Sequence, residues 1–416
     1  MKKTSFAIMG MGNRGSVFAR NLMNHLDRAE VTAIADPRQS CLDTANGYLH
    51  LPKERLFHSA EELLEQPKLA DVMIVATQDA QHRDHAIRAM EKGYDLVLEK
   101  PISNKLEEIA LIEATAKKLG RRVIVAHVMR YTPFYRRVKQ LLEAGAVGRI
   151  LNVEAAEYVS CYHMAHAYVR GHWRRKDESS PIILAKCSHD LDLILWLTGK
   201  RCLSVSSVGS LDYFTKENMP AGAPERCADG CPAEDCPYHA LRFYLPRIPG
   251  WPTNNMHPAP TEENIRQILD TTRYGRCVFR QDNDVVDHQQ VQLLMEDHVT
   301  VSFSVNAMHT RATRTIRIGG TGGELWGDLG ENKLYLQKHG QSVQEIAVDM
   351  PDAKDGHQGG DAGLVRDMVA YFGGEGDMAA ITTLERSAES HYVAFAAEES
   401  RSRSGEKINM KGFVMP

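Results

Sequence analysis

Four ionisable side chains interrupt the otherwise apolar stretch 181–197: Lys186, His189, Asp190 and Asp192. In a helix the first three would share a face, because residues three and four positions apart are neighbours. Burying such groups is unfavourable unless they have partners or a function. An imidazole titrates near neutral pH, so His189 could accept the proton of a reacting hydroxyl, with Lys186 assisting and Asp190 binding substrate. The alternative is a structural histidine held by its helix neighbours.

A second candidate for chemistry is Lys100, in the sequence Glu99-Lys100-Pro101 that follows a predicted strand at 96–98. Open α/β sheets bind their ligands beyond the carboxyl ends of the strands. An ammonium group there can donate a hydrogen bond to a substrate oxygen and stabilise the negative charge that develops on it. Lys100 is therefore a catalytic candidate, with Glu99 orienting it or contacting a ribose. The alternative is a solvated lysine at a strand end.

A glycine-rich turn between a predicted strand and a predicted helix points to a dinucleotide. The glycines permit a tight turn, close approach of a pyrophosphate and close helix–strand packing, while the free N–H groups of the helix start face the anion. Asp36 ends the next strand, where a carboxylate accepts hydrogen bonds from ribose hydroxyls and repels a 2′-phosphate. This favours NAD over NADP, although the neighbouring Arg38 weakens the preference. The predicted cofactor contacts are Gly10, Gly12, Asn13, Arg14, Gly15 and Asp36.

Four of the eight cysteines lie in a proline-rich insertion at about residues 218–280: Cys227, Cys231, Cys236 and Cys277. Four thiolates satisfy tetrahedral Zn²⁺ and could stabilise a segment that is expected to lack a core of its own. The spacing is not C-x₂-C, so an iron–sulfur cluster and unmetallated thiols remain alternatives to the predicted structural zinc. The other four cysteines are interpreted as small apolar residues.

These candidates must be positioned by regular elements, and the first 127 residues alternate strand and helix. Short apolar runs such as 6–9 and 31–35 are typical of buried strands. Strands separated by single helices imply right-handed crossovers and a parallel sheet covered on both faces. We therefore predict a doubly wound α/β domain of the Rossmann type over residues 1–127.

Residues 128–416 are predicted to form a second domain of the α+β class. Helical patterns occur at 133–144, 181–197, 362–372 and 383–400. Short strand patterns punctuated by Gly, Asn and Asp follow residue 285 and indicate an antiparallel sheet, to which the segment 150–159 adds a strand. Residues 218–260 are predicted to be irregular, since this segment is too long for a plain connection.

The glycine-rich turn with Asp36, Thr77 with His82 shortly after it, and Glu99-Lys100-Pro101 resemble the Gfo/Idh/MocA family of NAD(P)-dependent oxidoreductases. The resemblance spans nearly the whole chain. It implies an N-terminal Rossmann domain and a C-terminal domain with a large, open, mostly antiparallel sheet that faces the nicotinamide. That sheet is often an oligomer interface, so a homodimer or homotetramer is expected. The resemblance places Lys100 in the catalytic centre and adds Thr77, His82 and Glu99 to the cofactor contacts.

The chain departs from this family at the helix that carries the general base. The family pattern is Asp-x-x-x-His-x-x-Asp, and His189 and Asp192 match its last two members. Ala185 stands where the first aspartate is expected, with Lys186 beside it. The departure predicts a subgroup whose general base differs, and Tyr131 and Lys186 are the candidates to replace it.

A polar and aromatic stretch ahead of this helix suits a carbohydrate. Sugar hydroxyls need both hydrogen-bond donors and a flat apolar face, which Tyr, His, Arg and Trp supply. Taken singly, such residues more often pack or lie at the surface. The predicted substrate contacts are Tyr162, His163, Arg170 and Trp173, together with His357 beside paired glycines farther along the chain.

Composition narrows the choice of function. The chain has 416 residues, with 50 Lys+Arg against 54 Asp+Glu for a formal charge of -4. This near-balance argues against nucleic acid as the main partner. No apolar run is long enough to span a membrane, and the cysteine content without an export signal predicts the reducing cytoplasm.

Two enzyme functions compete. The first is an NAD-dependent oxidoreductase that removes a hydride from a secondary ring hydroxyl of a sugar, glycoside or cyclitol. The second, implied by a glycosidase-like branch of the same family, is a hydrolase that retains NAD through transient oxidation, elimination, water addition and re-reduction; a tyrosine such as Tyr131 or Tyr162 would then remove the carbon-bound proton. A non-catalytic NAD-binding sensor would need neither Lys100 nor His189.

Overall fold

The computed structural model describes residues 3–350, 356–376 and 380–413. Its first half alternates strands and helices. The strands are β1 (Thr4–Met9), β2 (Ala29–Ala35), β3 (Leu56–Phe57), β4 (Val72–Val75), β5 (Asp95–Leu98) and β6 (Val123–Val125). The helices are α1 (Asn13–Leu22), α2 (Gln39–Leu49), α3 (Ala60–Glu65), α4 (His82–Glu91) and α5 (Leu106–Leu119).

The six strands of this half form a parallel sheet in the order β3-β2-β1-β4-β5-β6. Its central strands are apolar throughout because helices cover both faces, and Phe6, Ile8 and Ile74 are all 0% exposed. The order reverses between β1 and β4, and in such sheets the ligand binds at this switch point, beyond the carboxyl ends of the strands. The predicted doubly wound Rossmann domain is confirmed.

The second half contains a nine-stranded sheet in the order β14-β13-β12-β11-β7-β10-β9-β8-β15. Its strands are β7 (Ile150–Ser160), β8 (Cys202–Ser210), β9 (His288–Met295), β10 (Thr300–His309), β11 (Thr313–Gly320), β12 (Gly323–Asp328), β13 (Lys333–Lys338), β14 (Gln344–Glu345) and β15 (Ile408–Asn409). Within this nine-stranded sheet, as far as its residues are described, only the pair β7–β10 is parallel and the other pairs are antiparallel. The predicted mostly antiparallel sheet is confirmed, although β8 was not predicted.

Helices surround one face of this sheet and the junction with the first domain. They are α6 (Pro133–Glu143), α7 (Cys161–His163), α8 (Ile182–Ala185), α9 (Ser188–Thr198), α10 (Ala240–Tyr244), α11 (Thr253–Met256), α12 (Glu262–Thr271), α13 (Gly360–Phe372) and α14 (Leu384–Ser402), with a π-helix at Met164–Arg170. No helix within the described ranges is long and apolar enough to cross a membrane.

The single helix predicted at 181–197 is wrong, because the chain breaks into α8 and α9. Lys186 lies at φ -107° and Cys187 at φ -92° and ψ 2°, outside regular helical geometry. Neither residue is a glycine or proline, so the sequence carries no conventional signal for the break. As a result, Lys186 does not share a regular helix face with His189.

Residues 218–260 contain only the short helices α10 and α11 besides single 3-10 turns, but the prediction that the insertion lacks a core is wrong. Helices α10, α11 and α12 enclose a small apolar cluster of their own. The buried members of this cluster are Cys227, Ala240, Phe243, Tyr244, Ile265 and Leu269. The insertion is therefore a folded subdomain that is stabilised by its own packing.

The end of the chain returns to the first domain. The N–H of Val125 in β6 donates to Thr382 O at 2.8 Å, and Ile124 forms a bridge with Thr383. Helix α13 packs on α1, and α14 packs on α5. Segments from both ends of the sequence thus meet along the outer edge of the parallel sheet, beside the site described next.

Candidate active site at the domain junction

The glycine-rich turn has the geometry that its residues require. Gly10 lies at φ +90°, and a Cβ there would stand 2.4 Å from the carbonyl oxygen of Ala76. A Cβ on Gly15 would stand 1.8 Å from the carbonyl oxygen of Gly10. At Gly12 a Cβ would meet only the Arg38 guanidinium, at 3.4 Å, so the space over this residue is open. Two glycines close the turn and the third leaves room for a ligand.

This turn and Asp36 fit an NAD molecule. Helix α1 begins at Asn13 without a side-chain cap, so its first N–H groups are free to bind an anion. The buried Asp36 accepts a hydrogen bond from the N–H of Met11 at 2.8 Å. Arg38 Nε donates to the same carboxylate at 3.0 Å, which brings a guanidinium next to the expected ribose position.

His82 holds the loops after two neighbouring strands together. Its Nδ1 lies 2.7 Å from the carbonyl oxygen of Pro101, and its Nε2 lies 3.2 Å from that of Thr77. The ring is 1% exposed, so it has no polar atom to offer a cofactor. The direct contact predicted for His82 is therefore replaced by a positioning role. The hydroxyl of Thr77 lies 2.9 Å from His85 Nδ1.

Arg14 connects the cofactor turn to both domains. Its Nε donates to Glu99 at 2.6 Å, and its Nη2 donates to Asp361 at 2.8 Å. Asp361 in turn lies 2.9 Å from Nδ1 of His357; burial opposes the shift, but the Arg14 guanidinium and the hydrogen bond with His357 hold the pKa of this carboxyl below its usual range. Glu99 also accepts the backbone N–H of Lys100 at 3.1 Å. The predicted residues Arg14, Glu99 and His357 thus form one chain of contacts.

Lys100 crosses from the first domain to the second. Its Nζ donates to the carbonyl oxygen of Ala185 at 2.6 Å, at the end of α8. Within the described residues no carboxylate lies at ion-pair distance from this ammonium. Burial lowers the pKa of Lys100, and the nearby Glu99 opposes the shift. An ammonium has three donors, so two remain for a substrate.

Imidazoles surround this lysine. The ring of His189 lies 5.6 Å from that of His127 and 6.1 Å from that of His357. Burial and the positive charge of Lys100 hold the pKa of His189 well below its ordinary value, so the ring is a neutral base. The pKa of His163 is lowered by burial and by the charge of Lys186. We call Lys100, His189, His127, His163 and His357 the catalytic cluster.

Sequence reasoning missed His127. Its side chain is 0% exposed, and both of its ring nitrogens have no hydrogen-bond partner among the described residues. The signal was present, because His127 closely follows β6, whose carboxyl end lies at the same sheet edge as that of β5 before Lys100. On its other side His127 contacts His391, which accepts the N–H of Ile102 at 2.9 Å.

Trp173 also lies at this junction. Its indole N–H donates to Asp79 at 3.3 Å, in the loop after β4, and its ring packs against Tyr168 and His172. The structure therefore places this predicted substrate residue across the domain boundary, beside the loop that carries Thr77.

Asp190 and Lys186 belong to a different group of charges. Arg314 Nε donates to Asp190 at 2.7 Å, and Arg314 Nη2 forms an ion pair with Glu157 Oε2 at 2.6 Å. The ammonium of Lys186 lies 3.5 Å from Glu157. We call these four residues the Arg314 network. The substrate contact predicted for Asp190 is wrong, because its buried carboxylate already binds Arg314. The role in proton transfer predicted for Lys186, whose side chain is partly exposed beside Glu157, stays a prediction.

Tyr131 lies in the junction between the two domains, where its hydroxyl is hydrogen-bonded within the protein. Its hydroxyl is 2.9 Å from Thr382 Oγ1 and accepts the N–H of the same residue at 3.0 Å. Burial raises the pKa of Tyr131 to about 12. The phenol is both occupied and a poor source of phenolate, which contradicts its predicted role as a base.

Arg170 and Tyr162 both contact the insertion, Arg170 through hydrogen bonds and Tyr162 through stacking. Arg170 is 0% exposed, and it donates to the carbonyl oxygens of Arg276 at 2.9 Å and Tyr238 at 2.7 Å. The ring of Tyr162 stacks on Phe243 with centroids 5.4 Å apart. The substrate contact predicted for Arg170 is wrong, since its buried side chain is committed to backbone carbonyls of the insertion. Tyr162 likewise packs against the insertion's core.

The zinc prediction is not supported. All of the predicted ligands Cys227, Cys231, Cys236 and Cys277 are free thiols. In the described part of the chain no three His, Cys, Asp or Glu side chains are placed to hold a metal ion. Arg170 Nη2 lies 3.7 Å from Cys227 Sγ, and the backbones of Cys227 and Cys277 join neighbouring segments. The insertion's apolar core supplies the stability for which a metal was invoked.

Comparison with known proteins adds two family matches. Residues 4–127 match the NAD-binding Rossmann-fold model of the Gfo/Idh/MocA oxidoreductases, and residues 135–229 match the model of the Gfo/Idh/MocA C-terminal domain.

Several curated proteins are similar to the chain. The oxidoreductase YteT of Bacillus subtilis is 25% identical over 86% of this chain and 87% of its own length. A scyllo-inositol 2-dehydrogenase (NAD(+)) of B. subtilis is 27% identical over 49% of this chain and 57% of the relative. A 2,7-anhydro-N-acetylneuraminate hydratase of Escherichia coli is 26% identical over 49% of this chain and 52% of the relative. The chain thus aligns with only about half the length of the last two.

Solved structures show the same fold. An oxidoreductase from Agrobacterium radiobacter, in complex with NAD+, L-tartaric acid and magnesium, superimposes with a TM-score of 0.71 at 14% identity. The superposition covers 99% of each chain.

Proposed function

Because the chain belongs to the Gfo/Idh/MocA family of NAD-dependent oxidoreductases, we propose that it oxidises a secondary ring hydroxyl of a sugar, glycoside or cyclitol. The observation that carries the proposal is the contact of Lys100 with Ala185 O at 2.6 Å. It brings the ammonium of one domain to the break that precedes His189 of the other. A relative that is a scyllo-inositol dehydrogenase supports a cyclic polyol as substrate.

Lys100 and His189 of the catalytic cluster have different roles in this reaction. Lys100 donates a hydrogen bond to the reacting oxygen and stabilises the negative charge on it while it keeps its bond to Ala185. His189, neutral because its pKa is lowered, accepts the hydroxyl proton. When bound, NAD supplies the acceptor for the hydride that leaves the ring carbon. The proton on His189 and the hydride together account for the two hydrogens that the alcohol loses.

The proposed cofactor is NAD rather than NADP. Asp36 is buried at the end of β2 and would repel a 2′-phosphate. Arg38 is bonded to this carboxylate, so its charge is already partly balanced and is a weaker attraction for a phosphate.

The test is a panel of cyclic polyols, aldoses and glycosides, each supplied with NAD or with NADP. We expect reduction of NAD with at least one member, formation of the corresponding ketone, and much slower reduction of NADP. The Lys100→Ala variant is the control for the site. No reduction of either cofactor by any member of the panel contradicts the proposal, and preference for NADP contradicts the role given to Asp36.

A second candidate is a hydrolase or hydratase in which oxidation of the ring is transient. It is favoured by the imidazoles of His163 and His357, which line the same cleft as His189 and have lowered pKa values. Removal of a ring hydroxyl proton needs one base, and elimination next to a ketone needs another for the carbon-bound proton. A relative that is a hydratase supports the same idea.

The two candidates are separated by incubating the purified protein with aryl glycosides and no added NAD. Release of the aryl group without net NADH supports the hydrolase. Steady accumulation of NADH with a keto-sugar product when NAD is added supports the dehydrogenase.

A further inference from the structure

The insertion at residues 218–280 reaches across to the cofactor turn. Asn255 in α11 accepts a hydrogen bond from Asn13 Nδ2 at 2.5 Å. Asn13 is the first residue of α1, whose free N–H groups are suited to the pyrophosphate. One end of the insertion therefore contacts the first domain at the edge of the cofactor groove.

The same end of the insertion carries Trp251 beside the catalytic cluster. The centroid of its indole lies 5.5 Å from the ring of His163 and 5.8 Å from that of His166, in edge-to-face arrangements. The ring of His163 also lies 6.1 Å from that of Tyr168, which packs on Trp173 beside the loop after β4, so this histidine lies on the wall of the catalytic chamber that the second domain supplies. Trp251 therefore packs against the wall of that chamber.

Part of this indole is uncovered. Trp251 is 39% exposed, whereas Phe243 and Tyr244, two aromatic rings of the insertion's core, are 2% and 0% exposed. Single exposed apolar residues are common, so exposure alone has no meaning. What distinguishes Trp251 is that it packs on His163 and His166 of the second domain, while Asn255, four residues later, contacts the cofactor turn of the first. A flat apolar ring at that place can pack against the C–H face of a cyclic polyol while neighbouring imidazoles bind its hydroxyls.

We propose that the insertion forms the roof of the active site, with Trp251 as the platform for the substrate ring and Asn255 as a latch on the cofactor turn. The substrate part rests on the proposed function. Most of the insertion lies beyond residues 135–229, the segment that matches the family's C-terminal domain. Trp251 is then a specificity residue that neither family matching nor motif reading identifies.

The first test uses Trp251→Ala and Trp251→Phe with the best substrate of the panel. Loss of a stacked ring should raise KM about tenfold in Trp251→Ala and leave kcat within about threefold, and Phe should restore most of the loss. Trp326→Ala is the matched control, since Trp326 lies in β12 and stacks on Tyr335 of β13. The proposed stacking of substrate on Trp251 is wrong if the KM of Trp251→Ala stays within about twofold of the wild-type value. It is also wrong if Trp326→Ala raises KM as much as Trp251→Ala does.

The second test needs no substrate. Asn255→Ala removes the hydrogen bond to Asn13, so NADH should dissociate several-fold faster in stopped-flow fluorescence, by about three- to tenfold. Asn254→Ala is the control, because Asn254 is an exposed neighbour in the same helix. If NADH dissociates from Asn255→Ala at the wild-type rate, the proposed role of Asn255 at the cofactor turn is wrong. If the wild-type protein oxidises nothing in the panel, the proposed function fails, while the NADH measurement still decides whether the insertion covers the cofactor.

Discussion

The catalytic cluster and the Arg314 network both include residues of the short helix α9, yet they differ in whether their buried ionisable groups are paired. In the Arg314 network every charged group has an oppositely charged partner within 3.5 Å. In the catalytic cluster Lys100 binds only a backbone carbonyl, and His127 has no partner among the described residues. Two adjacent residues, His189 and Asp190, belong to different groups.

The difference teaches how to interpret a buried ionisable residue. A charge that is paired and hydrogen-bonded supports the scaffold, and removing its partner leaves an uncompensated charge. A group that is enclosed without a partner is destabilising in the free protein, which is expected where a ligand supplies the partner. The identity of the residue alone does not separate the two cases.

The largest expected effect is on stability, from Arg314→Ala. The substitution leaves Glu157 and Asp190 buried without their shared cation, so the free energy of unfolding should fall by about 3–5 kcal/mol. Urea unfolding followed by circular dichroism measures it. The control is Arg317→Ala on the same strand, whose exposed ion pair with Glu324 should contribute no more than about 1 kcal/mol. Equal losses in the two variants would mean that the network is not a buried scaffold.

Lys100→Ala tests the catalytic cluster, where we expect a loss of activity instead of a loss of stability. Loss of the donor to the reacting oxygen should lower kcat by about 10²- to 10³-fold, while NAD affinity stays within about threefold of the wild-type value. Steady-state kinetics and NAD titration provide the two numbers, and Lys117→Ala on the exposed face of α5 is the control. If kcat and NAD affinity fell together, Lys100 would be a cofactor or scaffold residue.

Tyr131→Phe tests a buried hydroxyl that already has hydrogen-bond partners, the backbone N–H and the hydroxyl of Thr382. We expect a loss of about 1 kcal/mol in the free energy of unfolding, from the hydrogen bond with Thr382, and no change in kcat. Thermal unfolding and turnover are measured on the same preparation. A hundredfold fall in kcat with unchanged stability would return Tyr131 to the catalytic machinery, since about 10²-fold is the usual effect of losing a general base.

The smallest effect concerns pH. Because the pKa of His189 is held well below its usual value, the ring stays neutral on mild acidification. We therefore expect kcat/KM to change little between about pH 7.5 and 6, whereas a base with an ordinary pKa of about 6.5 would lose about three quarters of its neutral form. Since burial lowers the pKa of Lys100, the alkaline limb should lie below the usual lysine value. An acid limb centred near 6.5 would contradict the shift of His189.

The sequence predicted the first domain well because its signals are local. Gly10 needs a positive φ, Gly15 must let a helix approach a strand, and the apolar runs of the parallel strands need no knowledge of distant residues. These constraints act within a few residues of one another, so a motif expresses them completely.

The candidate site was predicted only in part, because the partners of its side chains lie far away in the sequence. Lys100, His189 and His357 were identified by type and position, but Asp190 was misassigned because Arg314 lies 124 residues away in sequence. The break at Lys186 could not be anticipated from helix propensity, since neither it nor Cys187 is a helix breaker. Trp251 depends on how the insertion folds, and the sequence was interpreted there as irregular.

The pairing of Val125 with Thr382 has a consequence for synthesis of the chain on the ribosome. The segment that covers the last strand of the parallel sheet follows it 257 residues later in the sequence. Until residues 360–402 have been translated, α1 and α5 lack the helices that pack on them. The parallel sheet is therefore completed long after its own strands have been made, and its exposed strand edge is the surface that a chaperone would need to protect during translation.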